Sequence, residues 1–249
     1  MIVTINIRNI NINYIQYGSG SDVVLLHGWG QNIAMMKPIG DRLQKNHRIT
    51  ILDFPGFGES EEPKTALTVY DYCEILEELL KKLKVKKPVI MGHSFGGRIA
   101  IIYASRNEVE KVVLFGSPCI RKEVKPSLKL RMLKSLKKIP GINKLEGFAK
   151  NHMGSRDYKN ACEVMKKILV NVVNEDLSEC AKKINVPTLL IWGDRDTEAP
   201  VEDAKELEKI IPDAGLIVLP NSTHYALPGT HYAYLENLGQ VINILNNFL

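Results

Sequence analysis

The residues best suited to chemistry lie in the segment Gly92-His93-Ser94-Phe95-Gly96, which directly follows a short apolar run. A strand that ends in G-x-S-x-G and continues as a helix makes a sharp turn that exposes the serine hydroxyl. The glycines have a mechanical reason, because a strained turn crowds the residues two before and two after the serine. Ser94 is therefore the candidate nucleophile. A phosphate-binding loop is the alternative, but the sequence has neither a G-x-G-x-x-G nor a Walker lysine.

A nucleophilic serine needs a base, because its hydroxyl is almost fully protonated at neutral pH. His224 follows the last predicted strand, at the sheet edge where Ser94 should emerge. It is preferred over His231, which precedes or opens the final helix. The sequence therefore predicts His224 as the base.

The other four histidines are set aside because of their positions. His93 is expected to point away from the neighbouring Ser94 hydroxyl. His27 is expected to be buried and hydrogen-bonded within its own loop. His47 and His152 are assigned to polar helical stretches.

The base in turn needs a carboxylate to orient it. Three acids compete in the segment IWGDRDTEAP at 191–200, which ends a strand and turns into a helix. Asp194 immediately follows the strand and is suited to the turn itself, and Glu198 is the third candidate. Asp196 lies further into the loop, where it can reach across to His224, so we predict Asp196 as the acid.

The negative oxygen of a tetrahedral intermediate needs hydrogen-bond donors. The loop His27-Gly28-Trp29-Gly30 follows a predicted strand, and Gly28 is expected to let the backbone turn so that the Trp29 amide faces the cleft. The Phe95 amide, at the start of the helix after Ser94, is the second predicted donor.

The elements that must position these residues follow from hydrophobic patterning. Two alternating runs, 2–7 and 11–17, predict an antiparallel hairpin at a sheet edge. Continuous apolar runs at 23–26, 49–52, 89–91, 112–115, 188–192 and 216–219 predict parallel strands buried on both faces. Helical patterns, such as 69–83, separate most of them. The alternation predicts an α/β fold with a doubly wound, mainly parallel sheet.

The region from 117 to 183 has no strand pattern and is rich in lysine. We interpret it as a helical cap inserted after the sixth strand, so that 1–116 and 184–249 form the core of one enlarged domain.

Composition excludes several classes of protein. Of 249 residues, 45% are hydrophobic and 24% are charged, which excludes disordered, collagen-like and coiled-coil chains. Four cysteines without C-x-x-C spacing argue against a disulfide framework or a cysteine-rich metal site. With no signal-like start and no long apolar run, the sequence predicts a soluble, cytoplasmic protein without a membrane span.

The chain resembles the α/β-hydrolase superfamily, in its capped, esterase-like branch. The matching motifs are LLHGWG at 25–30, LDFPGFGES at 52–60, MGHSFGG at 91–97, IWGDRDTEAP at 191–200 and PNSTHYALP at 220–228. The chain order Ser94, Asp196, His224 is that of this fold. The resemblance implies the same triad, the Trp29 and Phe95 amides as oxyanion hole, and no cofactor or metal.

The resemblance also narrows the reaction. Asp53 and Ser60 lie in a segment that is a structural turn in similar proteins, so neither is predicted to be catalytic. Dehalogenases and epoxide hydrolases of this fold need a carboxylate nucleophile, which Ser94 excludes. The prediction is an enzyme that hydrolyses small-molecule carboxylic esters. A thioesterase, a perhydrolase, a C–C bond hydrolase and an esterase for methyl esters on acyl carrier protein are alternatives; a hydrolase-like receptor is a more distant one.

Charge is unevenly distributed along the chain. Residues 117–170 contain fourteen Lys and Arg against four acids, a net charge of +10, so the rest of the chain carries −5. Such a segment suits an acidic protein partner or an anionic substrate, although a solvated lysine-rich surface is the simpler explanation. No aromatic and basic platform accompanies it, so nucleic acid is not a predicted partner.

Overall fold

The structure is a computed structural model that describes residues 3–121, 162–222, 235 and 237–249. Its strands are β1 (Val3–Ile7), β2 (Ile10–Gly18), β3 (Ser21–Leu26), β4 (His47–Leu52), β5 (Val89–His93), β6 (Lys111–Phe115), β7 (Thr188–Gly193) and β8 (Ala214–Leu219). They form one sheet in the order β1-β2-β4-β3-β5-β6-β7-β8. β2 pairs antiparallel with both β1 and β4, whereas all other pairs are parallel. The predicted mainly parallel sheet with an edge hairpin is confirmed.

The strands follow the apolar runs of the sequence, with two differences. β8 lies at the sheet edge, and of its residues only Leu219 is buried, because an edge strand has a neighbour on one side alone. His47 opens β4, so the assignment of this residue to a helical stretch was wrong. Its polar neighbours resemble a helix surface, but they are the start of a strand whose last four residues are buried.

Helices cover both faces of the sheet. They are α1 (Ile33–Leu43), α2 (Val69–Lys82), α3 (Phe95–Ala104), α4 (Glu163–Asn174), α5 (Ser178–Ala181), α6 (Val201–Ile210) and α7 (Leu238–Phe248). Alternate residues of β3 point to opposite faces: Val23 and Leu25 pack with α1 and α7, whereas Val24 and Leu26 pack with α2, α3 and α6. Both faces of the central strands are therefore core.

The chain reverses its direction of winding at β3. β4 lies on one side of β3 and β5 on the other, so the loops after β3 and β5 leave the same edge of the sheet side by side. Crevices at such switch points are where open α/β sheets bind ligands. The topology therefore brings the loop at 27–30 next to Ser94.

An insertion follows the sixth strand, as predicted, and its two described ends meet. The Leu177 amide donates to the Cys119 carbonyl (2.9 Å), and the Arg121 amide donates to Asp176 Oδ2 (2.8 Å). The buried Arg98 of α3 donates from Nη1 to the Glu175 carbonyl (3.0 Å). α4 and α5 fall within the predicted cap, whereas 122–161 lie outside the described residues. None of the helices in the described ranges is long and apolar enough to cross a membrane.

Candidate active site

Ser94 occupies the strained turn that its motif predicts. Its backbone has φ 49° and ψ −110°, and it stands between the last residue of β5 and the first residue of α3. A positive φ is costly for a residue with a Cβ and persists only where the surroundings impose it. The Ser94 amide donates to the Phe115 carbonyl of β6 (3.0 Å), which holds the turn against the sheet. The side chain remains partly exposed.

The predicted crowding around Ser94 is confirmed at both glycines. A methyl group on Gly92 would lie 2.5 Å from the carbonyl carbon of Gly96. One on Gly96 would overlap the Leu26 carbonyl oxygen and come within 2.6 Å of the His27 carbonyl oxygen. Real Cβ atoms do not approach backbone so closely, so these positions require glycine. The contact of Gly96 with the end of β3 brings the elbow and the 27–30 loop together.

A third close approach, at Gly97, was not predicted. A methyl group there would overlap the Ser117 side chain. Ser117 is buried, and its hydroxyl lies 3.2 Å from the Gly92 carbonyl and 3.0 Å from the Phe115 carbonyl, so it ties the end of β6 to the elbow. Gly97, the last residue of MGHSFGG, could have indicated a close approach at this position. That the neighbour is Ser117 depends on the pairing of β5 with β6.

The two predicted oxyanion donors, Trp29 and Phe95, are held together by their rings. The centroids lie 5.5 Å apart in an edge-to-face contact, and Phe54, Phe57 and Tyr72 surround the Phe95 ring. Edge-to-face pairs add stabilisation beyond simple burial. Within the described residues, neither the Trp29 nor the Phe95 amide has a backbone acceptor. Two fixed amides, neither with a backbone acceptor in the described part of the chain, therefore lie on either side of the switch point.

The loop at 27–30 carries the predicted Trp29 donor and is called the oxyanion loop below. Its turn depends on a different glycine from the one expected. Gly30 has the left-handed backbone, at φ 69°, and Gly28 does not. Gly28 is required by space instead, because a methyl group there would lie 2.6 Å from His93 Nδ1 and 3.0 Å from Gln31 Nε2. The loop thus packs directly on the residue before Ser94.

His27 is buried within its loop, as expected. Its Nε2 accepts from the Phe54 amide (3.0 Å), and its Nδ1 lies 2.7 Å from the Gly28 carbonyl. An imidazole that accepts at Nε2 is neutral and holds its proton on Nδ1. Burial lowers the pKa of His27 to about 4, against a smaller opposing effect of the Gly28 carbonyl. The ring is thus a fixed structural group at neutral pH.

Asp53 and Ser60 form a turn, in agreement with the expectation that neither is catalytic. The buried Asp53 carboxylate accepts from the Ile33 amide (2.6 Å), the Glu59 amide (2.9 Å) and Asn13 Nδ2 (2.7 Å). The Ser60 hydroxyl donates to the Asp53 carbonyl (2.6 Å). Asp53 therefore fixes the start of α1, and with it the end of the oxyanion loop.

The three candidate acids after β7 differ in burial and partners. Asp196 is buried, and its Oδ1 accepts from the amides of Glu198 (3.0 Å) and Ala199 (2.7 Å). Glu198 is exposed. Asp194 is also exposed and accepts from the Ser222 amide (3.0 Å). Hydrogen bonds from the Asn221 and Ser222 amides hold the Asp194 pKa below its usual value. Asp194 thus serves the turn, as its position suggested.

Asp194 and its neighbours connect the loops after β7 and β8. The Asp194 amide donates to the Leu219 carbonyl (3.1 Å), and the Arg195 amide donates to the Ser222 carbonyl (2.9 Å). Ser222 is fully buried, and its hydroxyl accepts from Asn237 Nδ2 (2.7 Å). His224 and His231 lie outside the described residues, as does His152. The chain is thus fixed up to a point two residues before the predicted base.

Comparisons with known proteins agree with this geometry. The family described as the alpha/beta hydrolase fold matches residues 23–136. A pimeloyl-[acyl-carrier protein] methyl ester esterase of Aliivibrio fischeri (strain MJ11) is 26% identical over 249 residues, covering 91% of this chain and 95% of that protein. The AB hydrolase superfamily protein YisY of Bacillus subtilis (strain 168) is 26% identical over 260 residues, covering 92% and 93%.

Solved structures show the same architecture over the full length. The esterase EaEST from Exiguobacterium antarcticum has a TM-score of 0.76 at 24% identity, covering 100% of this chain and 99% of that one. The enol-lactonase from Burkholderia xenovorans LB400 has a TM-score of 0.74 at 20% identity, covering 99% of each chain. Together with the sheet order and the elbow, these matches show that the chain has the α/β-hydrolase fold.

Proposed function

We propose that the chain is a serine hydrolase of carboxylic esters. The observation on which this rests is the Ser94 elbow at the switch point, next to the Trp29 and Phe95 amides, which have no backbone acceptor within the described residues. A hydroxyl beside two fixed N–H donors is the arrangement that acyl transfer requires. The esterase names of several relatives support the same reaction class.

In this mechanism the Ser94 oxygen attacks the ester carbonyl while His224 takes its proton. The carbonyl oxygen becomes negative and accepts from the Trp29 and Phe95 amides. The intermediate collapses, the alcohol leaves with the proton from His224, and an acyl-serine remains. Water, deprotonated by the same histidine, attacks the acyl group to give a second tetrahedral intermediate. Its collapse breaks the bond to Ser94 and releases the acid, and His224 returns its proton to the Ser94 oxygen.

Asp196 is proposed to orient His224 and to stabilise its protonated ring. Its burial and its two backbone donors hold the carboxylate in one orientation, which this role needs. The insertion at 117–183 is proposed to form the cap that bounds the acyl pocket. One of its ends, at Glu175, is bound by Arg98 of α3, the helix that begins immediately after Ser94.

The test is p-nitrophenol release from acetate, butyrate and octanoate esters. Ser94→Ala should abolish turnover, by about 10⁶-fold in kcat. Asp196→Asn should lower kcat by about 10⁴-fold, because the amide holds the histidine in the wrong tautomer. Asp194→Asn is the matched control, since it makes the same change two residues away in a carboxylate that we assign to the turn.

Two outcomes would contradict the proposal. Ser94→Ala with wild-type turnover would remove the nucleophile assignment. Equal losses in Asp194→Asn and Asp196→Asn would remove the acid assignment. The dependence of turnover on the three acyl lengths reports the size of the acyl pocket.

A second candidate is the hydrolysis of methyl esters of acyl groups carried on acyl carrier protein. Several similar curated proteins have this name, and residues 117–170 carry the net charge of +10 that would attract an acidic carrier. The test compares a methyl ester on the carrier with a free methyl ester of the same acyl group. We expect kcat/KM to be higher for the carrier-bound ester at low salt and to fall steeply with salt. Equal values at every salt concentration would exclude the carrier as a recognition element.

A further inference from the structure

Gln31 is a buried polar residue that the sequence analysis did not single out. It ends the loop after β3, and its side-chain amide is 4% exposed. A buried amide is costly unless both its ends have partners. Its Oε1 accepts from the Gly28 amide (3.0 Å), and its Nε2 lies 3.2 Å from His93 Nδ1. Gln31 thus bridges the oxyanion loop and the residue immediately before Ser94.

The Gly28 backbone N–H determines which atom donates and which accepts in each hydrogen bond of this bridge. The Gly28 backbone N–H only donates, so the atom of Gln31 that faces it is the oxygen. The other end is then the NH₂ group, which only donates, and therefore His93 Nδ1 accepts. A neutral His93 ring consequently carries its proton on Nε2. His27 is the opposite tautomer, because its Nε2 accepts from Phe54.

Two further contacts, both on the Gly28 carbonyl, fix the direction of the Trp29 amide. The carbonyl of Gly28 and the N–H of Trp29 belong to one peptide unit, which is planar and trans, so they point in opposite directions. The Gly28 carbonyl accepts from His27 Nδ1 (2.7 Å) and from the backbone N–H of Gln31 (3.2 Å). Two donors on one side of the peptide therefore aim its N–H to the other side.

We propose that Gln31 is a positioning residue that holds the Trp29 amide in register with the Ser94 elbow and the Phe95 amide. The inference rests on the proposed serine hydrolase, and it adds a residue that touches neither substrate nor nucleophile. Gln31 acts on the Trp29 side through Gly28 and on the elbow side through His93. It connects loops that are 62 residues apart in sequence.

This role has a specific kinetic signature. Oxyanion donors stabilise charge that develops only in the transition state, so their misplacement lowers kcat and leaves KM nearly unchanged. Gln31→Met keeps the side-chain length and removes both hydrogen bonds. We expect its kcat for p-nitrophenyl acetate to fall about 10- to 100-fold, with KM within about twofold of wild type.

The matched control is Asn32→Ala. Asn32 is the next residue, and its side chain caps α1 by accepting from the Ala34 amide (3.0 Å). Its loss should lower stability but leave kcat within about twofold of wild type. Equal kcat values for Gln31→Met and Asn32→Ala, or a loss confined to KM, would overturn the proposal.

A second measurement depends on neither activity nor the folding of a variant. Nitrogen-15 NMR of the wild-type histidine rings reports which nitrogen carries the proton. We expect His93 to be protonated on Nε2 and His27 on Nδ1. A His93 proton on Nδ1 would mean that the Gln31 bond is absent and would overturn the proposal. If wild type hydrolysed no ester while both tautomers were as assigned, the ester hydrolase proposal would fail and the Gln31 bridge would stand.

Discussion

Two sets of loops leave the carboxyl edge of the sheet, and different forces hold them. The loops after β3 and β5 are buried and meet through backbone contacts at Gly92 and Gly96. The rings of Trp29 and Phe95 pack edge to face between them. These two loops can move little relative to each other, because a small displacement of either one would make its atoms overlap with the backbone of the other.

The loops after β7 and β8 lie at the open edge of the sheet and are held mainly by polar contacts. The exposed Asp194 accepts from the Ser222 amide, and the Arg195 side chain donates to Asn221. Gly193 is the exception, since a methyl group there would meet the Ser222 carbonyl. Ser94 and the two proposed oxyanion donors are thus placed by packing, whereas the connection toward the predicted base depends on separate hydrogen bonds. We therefore expect the half that holds Ser94 to be rigid, and the half after β7 and β8 to adjust at a lower cost.

Alanine substitution at matched glycines gives the largest expected contrast. Gly96→Ala places a methyl group against the carbonyl oxygens of Leu26 and His27, which are backbone and cannot turn away. We expect it to lower the free energy of unfolding by about 3 kcal/mol or more. Gly215→Ala, on β8, meets no atom of the described residues within 4 Å and should change the free energy of unfolding by less than about 0.5 kcal/mol. Urea unfolding of both variants measures the difference, and similar losses would mean that the two regions are equally constrained.

This contrast also explains what the sequence could predict. The Gly92 contact is local, because the backbone atoms that crowd it belong to Gly96 and Gly97 of the same motif, so G-x-S-x-G was sufficient to predict the elbow. The backbone that crowds Gly96 comes instead from the end of β3, and the motif alone does not identify it. Gln31 gave no such signal. It is a polar residue in a polar loop, and its partner His93 becomes its neighbour only because β3 pairs with β5.

The distinction between contacts within a motif and contacts that depend on strand order applies also to Arg98 and to the two glycines of the oxyanion loop. Arg98 lies in a helix predicted correctly, but its acceptor, the Glu175 carbonyl, is 77 residues away. The motif HGWG predicted a turn, but the turn was assigned to Gly28, whereas Gly30 adopts the left-handed backbone. The two glycines have equal freedom in the sequence. Short-range strain can be derived from a motif, whereas contacts between loops require the strand order.

A pH dependence is expected on the rigid side. His27 is neutral when folded, and burial lowers its pKa to about 4, so between about pH 6.5 and 4 the unfolded chain binds a proton that the folded chain excludes. Stability should therefore fall as the pH decreases through this range, by about 1 kcal/mol per pH unit. His27→Gln keeps one donor and one acceptor and should remove this slope. Urea unfolding at pH 7, 6 and 5 compares the two proteins, and parallel curves would contradict the burial of a neutral His27.

The smallest effects are expected on the adjustable side, at Asp194. Asp194→Asn keeps an acceptor for the Ser222 amide and should leave the melting temperature within about 2 °C of wild type, whereas Asp194→Ala loses it and should melt lower. Hydrogen bonds from the Asn221 and Ser222 amides hold the Asp194 pKa below its usual value. The stabilisation from these bonds is therefore fully present above the unfolded pKa near 4 and decreases as the pH falls below it. Neither variant should lower kcat more than about tenfold. A larger loss in Asp194→Asn would show that the loop toward His224 tolerates no adjustment, and the division between a rigid and an adjustable half would not hold.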